Sequence, residues 1–349
     1  HFVPGGAGHP ISKDDPRMVV IVGEEYRPPF WGHTFLIGLR DHLVSPFTTG
    51  YEGTAIESLY PLNSDIFRKA KAQGAITAYV HAFGGEGDPL KGSLGGAKEF
   101  PVDVALGTVD AVEWSSSTRA TLRVWHHVLN NDFPVAAVGG EDANTSLHRH
   151  TMLGSVRTYA YLGPALNARG WIEAVGAGRS FVSNGPLVEF RVNQHMPGEA
   201  IQLTAGGGVI EVEAKAWSTL PLTKAVIYRN GSVWKTIPLS GDRTGAEFRE
   251  RATVSESGWY SFTVEGEPVA GSFDSSYPQA VSNAVRVYVG DRKIRSRPSA
   301  EYFIAWIDKL RKMAEAAPGW RSQAEKDKVF PQMEKAKQVY AERAREAAR

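Results

Sequence analysis

The apolar positions of residues 1–185 fall into two kinds of segment that alternate along the chain. Short apolar or β-branched runs predict strands at residues 18–22, 35–39, 75–80, 109–114, 135–138 and 156–162. Segments with apolar residues at helical spacing predict helices at residues 63–73, 117–130 and 171–177. This alternation favours an α/β layer or barrel, in which the C-terminal ends of the strands carry the functional site.

The pattern changes after residue 186, where apolar and polar residues begin to alternate one by one between turn residues. Asn230-Gly231, in the middle of residues 224–239, is a two-residue turn signal typical of a β-hairpin. We therefore predict that an α/β domain at 1–186 is followed by an antiparallel β-sandwich at 187–295.

A third pattern begins near Pro298, where helical spacing returns and predicts a helical extension at residues 296–349. Ser299 is suited to cap the first helix. Its apolar stripe is more typical of a packing face than of a ligand site and consists of Tyr302, Phe303, Trp306, Ile307 and Leu310. The mostly charged tail from Ser322 predicts a solvated helix.

Composition narrows the classes of partner. With 39 basic and 38 acidic residues the net charge is +1, which gives no reason to expect nucleic acid or an anionic membrane as a partner. No apolar run approaches the ~18–20 residues needed to span a bilayer. The chain has no cysteine, so a metal must be held by His, Asp and Glu, and ten histidines are present. The absence of cysteine also favours a periplasmic or secreted location over a cytoplasmic one.

Four residues with metal-binding side chains stand at the ends of predicted strands. Glu25 follows the first strand, His33 precedes the second, His81 follows the third and Asp142 follows the fifth. In an α/β domain such positions can converge on one rim, and imidazole with carboxylate suits Zn, Fe or Mn. A bridging carboxylate would allow a two-metal site that activates water. Taken singly, a glutamate after a strand is usually solvated, and a histidine is often a hydrogen-bonded structural residue.

Other motifs leave their interpretation open. The glycine-rich stretch 84–96 follows His81 and is either a loop over the site or a plain surface loop. Glu113 either reaches the pocket or caps its strand. His126-His127 favours packing or a surface position, and His148 and His150 could line the site, although a polar surface loop is the commoner case. The sequence contains no Gly-x-Ser-x-Gly elbow, no phosphate-binding loop and no dinucleotide fingerprint.

The order of these motifs resembles the CehA/McbA family of metallohydrolases, in the polymerase-and-histidinol-phosphatase (PHP) superfamily. The similar stretches are GEEYRPPFWGHTFLIGL, AKAQGAITAYVHAFGG, AVEW, RVWHHVLNNDFPVAAVGGEDAN, RTYAYLG and WIEAVGAGRSFVSNGPLVEF. The resemblance implies a distorted (β/α)7 barrel with metals at the strand C-termini. It also implies that Glu25 bridges two metals, that His33 and His81 hold the second metal and that Asp142 completes the site of the first, with Glu25, His81 and Asp142 as catalytic residues.

The chain also departs from the family pattern. The family opens its barrel with an Asp-x-His-x-His strand, and no His-x-His precedes Glu25 here. Asn144 stands where many superfamily members have a third-site histidine, and Ala82 replaces the usual proline after the histidine of the third strand. We therefore expect a barrel that is incomplete at its N-terminus. It would be completed by a preceding segment, by another chain or by a homo-oligomer partner, or it would lack the first metal site.

Two functions follow as expectations. The first is a metal-dependent hydrolase, which uses a Zn-, Mn- or Fe-activated water on a small-molecule ester, carbamate or phosphoester. The second is a non-catalytic scaffold with a degraded metal site, whose β-sandwich binds a carbohydrate or a protein partner.

Overall fold

The computed structural model describes most of the chain, namely residues 18, 19, 21, 23–44, 48–50, 54–114, 119–143, 153–163, 166–268 and 277–347. Its helices are α1 (Asn63–Ala72), α2 (Phe100–Leu106), α3 (Arg119–Asn130), α4 (Ala168–Gly176), α5 (Arg297–Ala316) and α6 (Gln323–Glu346), with a short 3-10 helix at Pro89–Lys91. The strands before residue 186 are β1 (Gly23–Tyr26), β2 (Thr34–Ile37), β3 (Ile76–Tyr79), β4 (Ala111–Trp114), β5 (Ala136–Gly139), β6 (Arg157–Ala160) and β7 (Ser180–Ser183).

The strands that follow belong to the region predicted as a sandwich. They are β8 (Leu187–Val192), β9 (Ala200–Leu203), β10 (Gly208–Trp217), β11 (Leu222–Arg229), β12 (Ser232–Thr236), β13 (Gly245–Val254), β14 (Gly258–Gly266), β15 (Gln279–Ser282) and β16 (Val285–Val289). The predicted hairpin is confirmed, because β11 pairs antiparallel with β12 across Asn230-Gly231, and both of these residues have positive φ.

The predicted (β/α)7 barrel is wrong. Strands β1 to β5 form one sheet in chain order, and β3 pairs parallel with β4, but β1 pairs antiparallel with β2 and β2 antiparallel with β3, whereas a barrel of this type needs parallel neighbours. The short loop 27–33 explains the first reversal, because parallel neighbours need a long crossover. Three sheets are found in the described part of the chain, and none of them closes on itself.

The other two sheets form the sandwich. One has the order β13–β10–β8, and the other contains β12–β11–β14–β15–β7–β6 together with β16 and β9. Their apolar inner residues form one core, to which Phe190, Val212 and Phe262 contribute. β6 and β7 were assigned by sequence to the α/β domain, but β7 pairs with β15 and so joins them to this sheet.

The chain divides into two compact units. Unit 1 contains residues 1–112, 162–176 and 295–349, and unit 2 contains residues 113–161 and 177–294. Unit 1 is therefore assembled from three separate stretches of sequence.

In unit 1 the C-terminal helices contribute to the core. The predicted apolar stripe of α5 is confirmed, since Phe303, Trp306, Ile307 and Leu310 are buried. The cap is Ser296 rather than Ser299, because the Ser296 hydroxyl accepts a hydrogen bond from the Ser299 N–H. The tail is helical, but it is not solvated on all sides: α6 buries Val329, Met333, Ala336 and Tyr340.

Candidate metal centre

Glu25, His33 and His81 meet at one end of three neighbouring strands in unit 1. Because β2 runs antiparallel to both of its neighbours, the residue before β2 lies beside the last residues of β1 and the first residues after β3. A hydrogen bond of 3.2 Å from the Val80 N–H to the His33 carbonyl extends the β2–β3 pairing to the site. Glu25 lies inside β1 and not after it, because the strand begins at Gly23, beyond the predicted run.

The three side chains present their ligand atoms to one point. His33 Nδ1 lies 3.3 Å from His81 Nε2 and 3.3 Å from Glu25 Oε1, and His81 Nε2 lies 3.5 Å from Glu25 Oε1. A cation bonded at ~2.0–2.2 Å to three corners of a tetrahedron holds those atoms about 3.3–3.6 Å apart. The donor set and its spacing therefore fit a divalent ion of the zinc type. The side chains are 25–34% exposed, which leaves the site open to solvent.

Charge at the site favours a cation. Hydrogen bonds from His33 and His81, together with the charge of Arg27, hold the pKa of Glu25 well below its usual range. The carboxylate is thus ionised, as a metal ligand must be. Its second oxygen, Oε2, lies 3.3 Å from Nη1 of Arg27, whose side chain is 62% exposed.

The backbone that carries the two histidines is fixed by neighbours that sequence reasoning missed. Asn63 Nδ2 donates to the Gly32 carbonyl and to the Tyr79 hydroxyl, both at 3.0 Å, and so ties the residue before His33 to β3. Gly32 has a φ of 117°, and a Cβ there would lie 2.4 Å from the Gly96 carbonyl oxygen, so only glycine fits. The signal available in the sequence was the Trp31-Gly32-His33 triplet itself.

His81 has an unusual backbone. Its φ is 35°, in the left-handed region that residues with a side chain rarely adopt. Strain of this kind persists only where the surroundings impose it, and it is concentrated at functional sites. The hydrogen bonds from the Gly96 and Ala97 N–H groups to the Ala82 carbonyl hold the turn immediately after His81.

The remaining predicted site residues are placed as follows. Asp142 is exposed in the loop after β5, in unit 2, with a φ of 28°. Among the described residues, the cluster able to hold a metal consists of Glu25, His33 and His81. The assignment of Asp142 as a ligand stays a prediction. Asn144, His148 and His150 lie outside the described residues.

Glu113 and His126, for which the sequence left alternatives, are both buried in unit 2. Glu113 lies in β4, and its carboxylate sits so close to Gly140 that a Cβ on that glycine would overlap it. His126 packs among aromatic rings, which settles its alternatives in favour of packing.

The glycine-rich stretch after His81 is bound to helix α5. Asp88 Oδ1 accepts hydrogen bonds from the Leu90 N–H at 3.0 Å and from the Tyr302 hydroxyl at 2.8 Å. Lys309 donates to the Leu90 carbonyl, and the Trp306 indole donates to the Lys98 carbonyl. Polar contacts with α5 therefore hold the middle of this stretch and the residue Lys98 just after it.

No model of a known protein family matches the sequence, and no curated protein matches it. In the part of the chain that the structure describes, no helix has both the length and the apolar character needed to cross a bilayer.

Proposed function

We propose that Glu25, His33 and His81 bind one divalent cation, and that the protein is a metal-dependent hydrolase of small-molecule esters, carbamates or phosphoesters. The observation that carries the proposal is the triangle of ligand atoms, with sides of 3.3, 3.3 and 3.5 Å. Three protein ligands made of imidazole and carboxylate are typical of catalytic zinc sites, whereas structural sites usually have four.

The resemblance of the sequence to CehA/McbA metallohydrolases supports hydrolysis as the reaction. The sheets of the described residues do not form the barrel that this resemblance implied, so the support comes from the local sequence around Glu25, His33 and His81. A divalent cation supplies Lewis acidity: it polarises a substrate oxygen and lowers the pKa of water, so that hydrolysis proceeds near neutral pH.

The protein's own groups have distinct roles in this proposal. The Glu25 carboxylate and the two imidazoles hold the cation, and Asn63 and Gly32 orient His33. Arg27 lies beside the cluster, with an exposed side chain whose guanidinium has five donors. It binds the negatively charged part of a substrate, which makes anionic substrates such as phosphoesters the favoured class.

Metal binding is tested on protein freed of metal with a chelator and then dialysed against Zn, Mn or Fe salts. Elemental analysis is expected to find about one bound ion per chain for the preferred metal. His33→Gln and Glu25→Gln should each lower the affinity by about 10–100-fold or more, because each removes a ligand. The control is His195→Gln, whose ring Nδ1 lies 2.9 Å from the Asn193 carbonyl in unit 2. Less than about 0.2 ion per chain under all three conditions would contradict the proposal.

Activity is tested separately on p-nitrophenyl acetate and bis-p-nitrophenyl phosphate with the metal-loaded protein. Turnover should disappear in His33→Gln and persist in His195→Gln. Arg27→Gln should slow the phosphodiester by at least about tenfold, through loss of a charge-assisted hydrogen bond, and leave the neutral acetate nearly unchanged. A protein that binds one metal ion and hydrolyses neither substrate would instead have a structural metal site.

A further inference from the structure

The outer face of the sheet β13–β10–β8 in unit 2 ends in an exposed tryptophan. Trp217 is the last residue of β10 and is 48% exposed. Its partner on β8 is Leu187, which is 43% exposed, and its partner on β13 is Gly245. Because directly opposed residues point to the same face, the glycine places no side chain of its own beside the indole on that flank.

Charged residues form much of the rest of this face, and several of them are paired with one another. Arg249 lies 2.8 Å from Glu211, and Lys215 lies 2.9 Å from Glu247. Lys215 and Glu247 lie two residues along their strands from Trp217 and Gly245, and therefore on the same face. The indole is therefore an apolar surface bordered directly by groups that donate and accept hydrogen bonds.

A cleft opens beside the indole. Its volume is about 390 Å³, at the lower end of the range of small-molecule sites, which is roughly 300–1,000 Å³. The segment 238–240 lines the cleft together with Trp217. Ser240 and Gly245 are joined by two hydrogen bonds, from the Ser240 N–H to the Gly245 carbonyl and from the Gly245 N–H to the Ser240 hydroxyl, at 2.8 and 2.9 Å. These bonds hold the segment 238–240 against the start of β13.

The indole of Trp217 is unpartnered within the described part of the chain. Among those residues, no ring stacks on it, no cation lies over it and no acceptor binds its N–H. The other described aromatic residues of this unit are buried, as Trp259 is, or half-buried, as Trp234 is. An exposed aromatic surface next to a preformed cleft is a typical small-molecule site.

We infer that this cleft binds a pyranose ring of a carbohydrate. A pyranose presents C–H groups on its faces and hydroxyls around its edge, so that one face packs on the indole while the edge meets polar groups. Trp217 supplies the apolar surface, Gly245 leaves the space for the ring, and Glu247 and Lys215 lie where hydroxyls can donate to one and accept from the other.

The same features argue against a protein strand as the ligand. β10 is hydrogen-bonded on both sides, to β13 and to β8, so its backbone offers no free edge at Trp217. β13 is itself covered beside the cleft, because Leu239 bridges to Ala246. The apolar surface at the cleft comes from Trp217, Leu187, Pro238 and Leu239, a small area that suits a single ring better than a protein interface.

The test is a titration of the full chain, labelled with 5-fluorotryptophan, followed by ¹⁹F NMR. The nine tryptophans give separate signals, and loss of one signal in Trp217→Phe assigns it. The probes are cellopentaose, xylopentaose, mannopentaose, maltopentaose and chitopentaose. At least one should shift the Trp217 signal saturably at concentrations up to ~10 mM, which covers weak single-ring binding.

Variants distinguish stacking from non-specific effects. By calorimetry, Trp217→Ala should weaken the binding of that sugar at least about tenfold, and Glu247→Gln should weaken it by a smaller factor. The matched control is Val209→Ala, an exposed residue on the same face at the other end of β10, which should leave the affinity unchanged. Absence of a saturable shift with all five sugars overturns the inference. It is also overturned if the Trp217 signal moves with protein concentration alone and Trp217→Ala abolishes a dimer in sedimentation, because the surface then binds a second copy of the chain.

Discussion

The hydroxyl of Tyr302 in helix α5 donates a hydrogen bond of 2.8 Å to Asp88 Oδ1 in the glycine-rich loop that follows His81. The sequence pattern had placed Tyr302 in a packing stripe. Its ring does contact Phe303 and Trp306, and its hydroxyl in addition makes one of the polar contacts by which a distant part of the chain holds the loop next to the candidate metal centre. The conformation of this loop therefore depends on the C-terminal helices.

The Tyr302→Phe substitution should loosen that loop without displacing the helix, since the ring remains. We expect a loss of about 0.5–1.5 kcal/mol in the free energy of unfolding, as for a typical hydrogen bond. Amide hydrogen exchange of residues 88–92 should become faster. Tyr288→Phe is the control, since it removes a comparable hydroxyl–carboxylate bond to Asp132 in unit 2. Equal exchange rates of 88–92 in both variants would contradict the prediction.

Metal should stabilise the folded chain. If the unfolded chain lacks the site, an ion at 100 times its dissociation constant adds about 2.7 kcal/mol to the free energy of unfolding. We expect the midpoint of thermal unfolding to rise with zinc for the native chain and for His195→Gln, and to stay constant for His33→Gln. An equal rise in all three proteins would assign the effect to another site.

The free energy of unfolding should depend on pH through His126. Burial, with a smaller effect of His127, lowers the pKa of His126 to about 3. Its ring lies 4.9 Å from those of Tyr228 and Trp259, and within the described structure its Nε2 has no hydrogen-bond partner.

The direction of this pH dependence follows from the difference in proton binding between the folded and the unfolded state. Between the ordinary pKa of 6.5 and about 3, only the unfolded state binds the extra proton. The contribution of neutral His126 is therefore fully present above pH 6.5 and is lost as the pH falls, by up to about 1.4 kcal/mol per pH unit. In urea unfolding at several pH values, His126→Phe should flatten this dependence, and His195→Gln should retain it. An unchanged slope in His126→Phe would contradict the assignment.

Replacing the carboxylate of Glu99 by an amide, in Glu99→Gln, should lower the free energy of unfolding. Its Oε2 accepts from the Asn63 N–H at 2.8 Å, and its Oε1 accepts from the N–H and the hydroxyl of Ser64, so it caps the first turn of α1. In Glu99→Gln an amide N–H₂ must face one of these donors, which should cost about 1–3 kcal/mol. The same change at exposed Glu173, in an i,i+4 pair with Arg169, should stay within about 0.5 kcal/mol. Chemical denaturation of both variants measures these two changes in the free energy of unfolding.

Local sequence patterns were enough to predict those elements that depend on interactions between residues close together in the chain. Asn230-Gly231 specified the β11–β12 hairpin, because both residues readily adopt positive φ. The spacing of Phe303, Trp306 and Leu310 specified the buried face of α5, because one face of a helix repeats every 3.6 residues. The sequence also selected Glu25, His33 and His81 as candidate ligands, although it assumed that parallel strand ends would bring them together.

Strand direction and sheet membership were decided only by the tertiary structure. A four-residue strand such as Ser180–Ser183 carries no information on its partner, and it pairs with Gln279–Ser282, nearly a hundred residues later. The same holds for β1–β3, where antiparallel pairing places His33 next to His81 and excludes the barrel. Residue types and their period determine which segments become strands, whereas hydrogen bonds between distant segments determine how those strands are arranged.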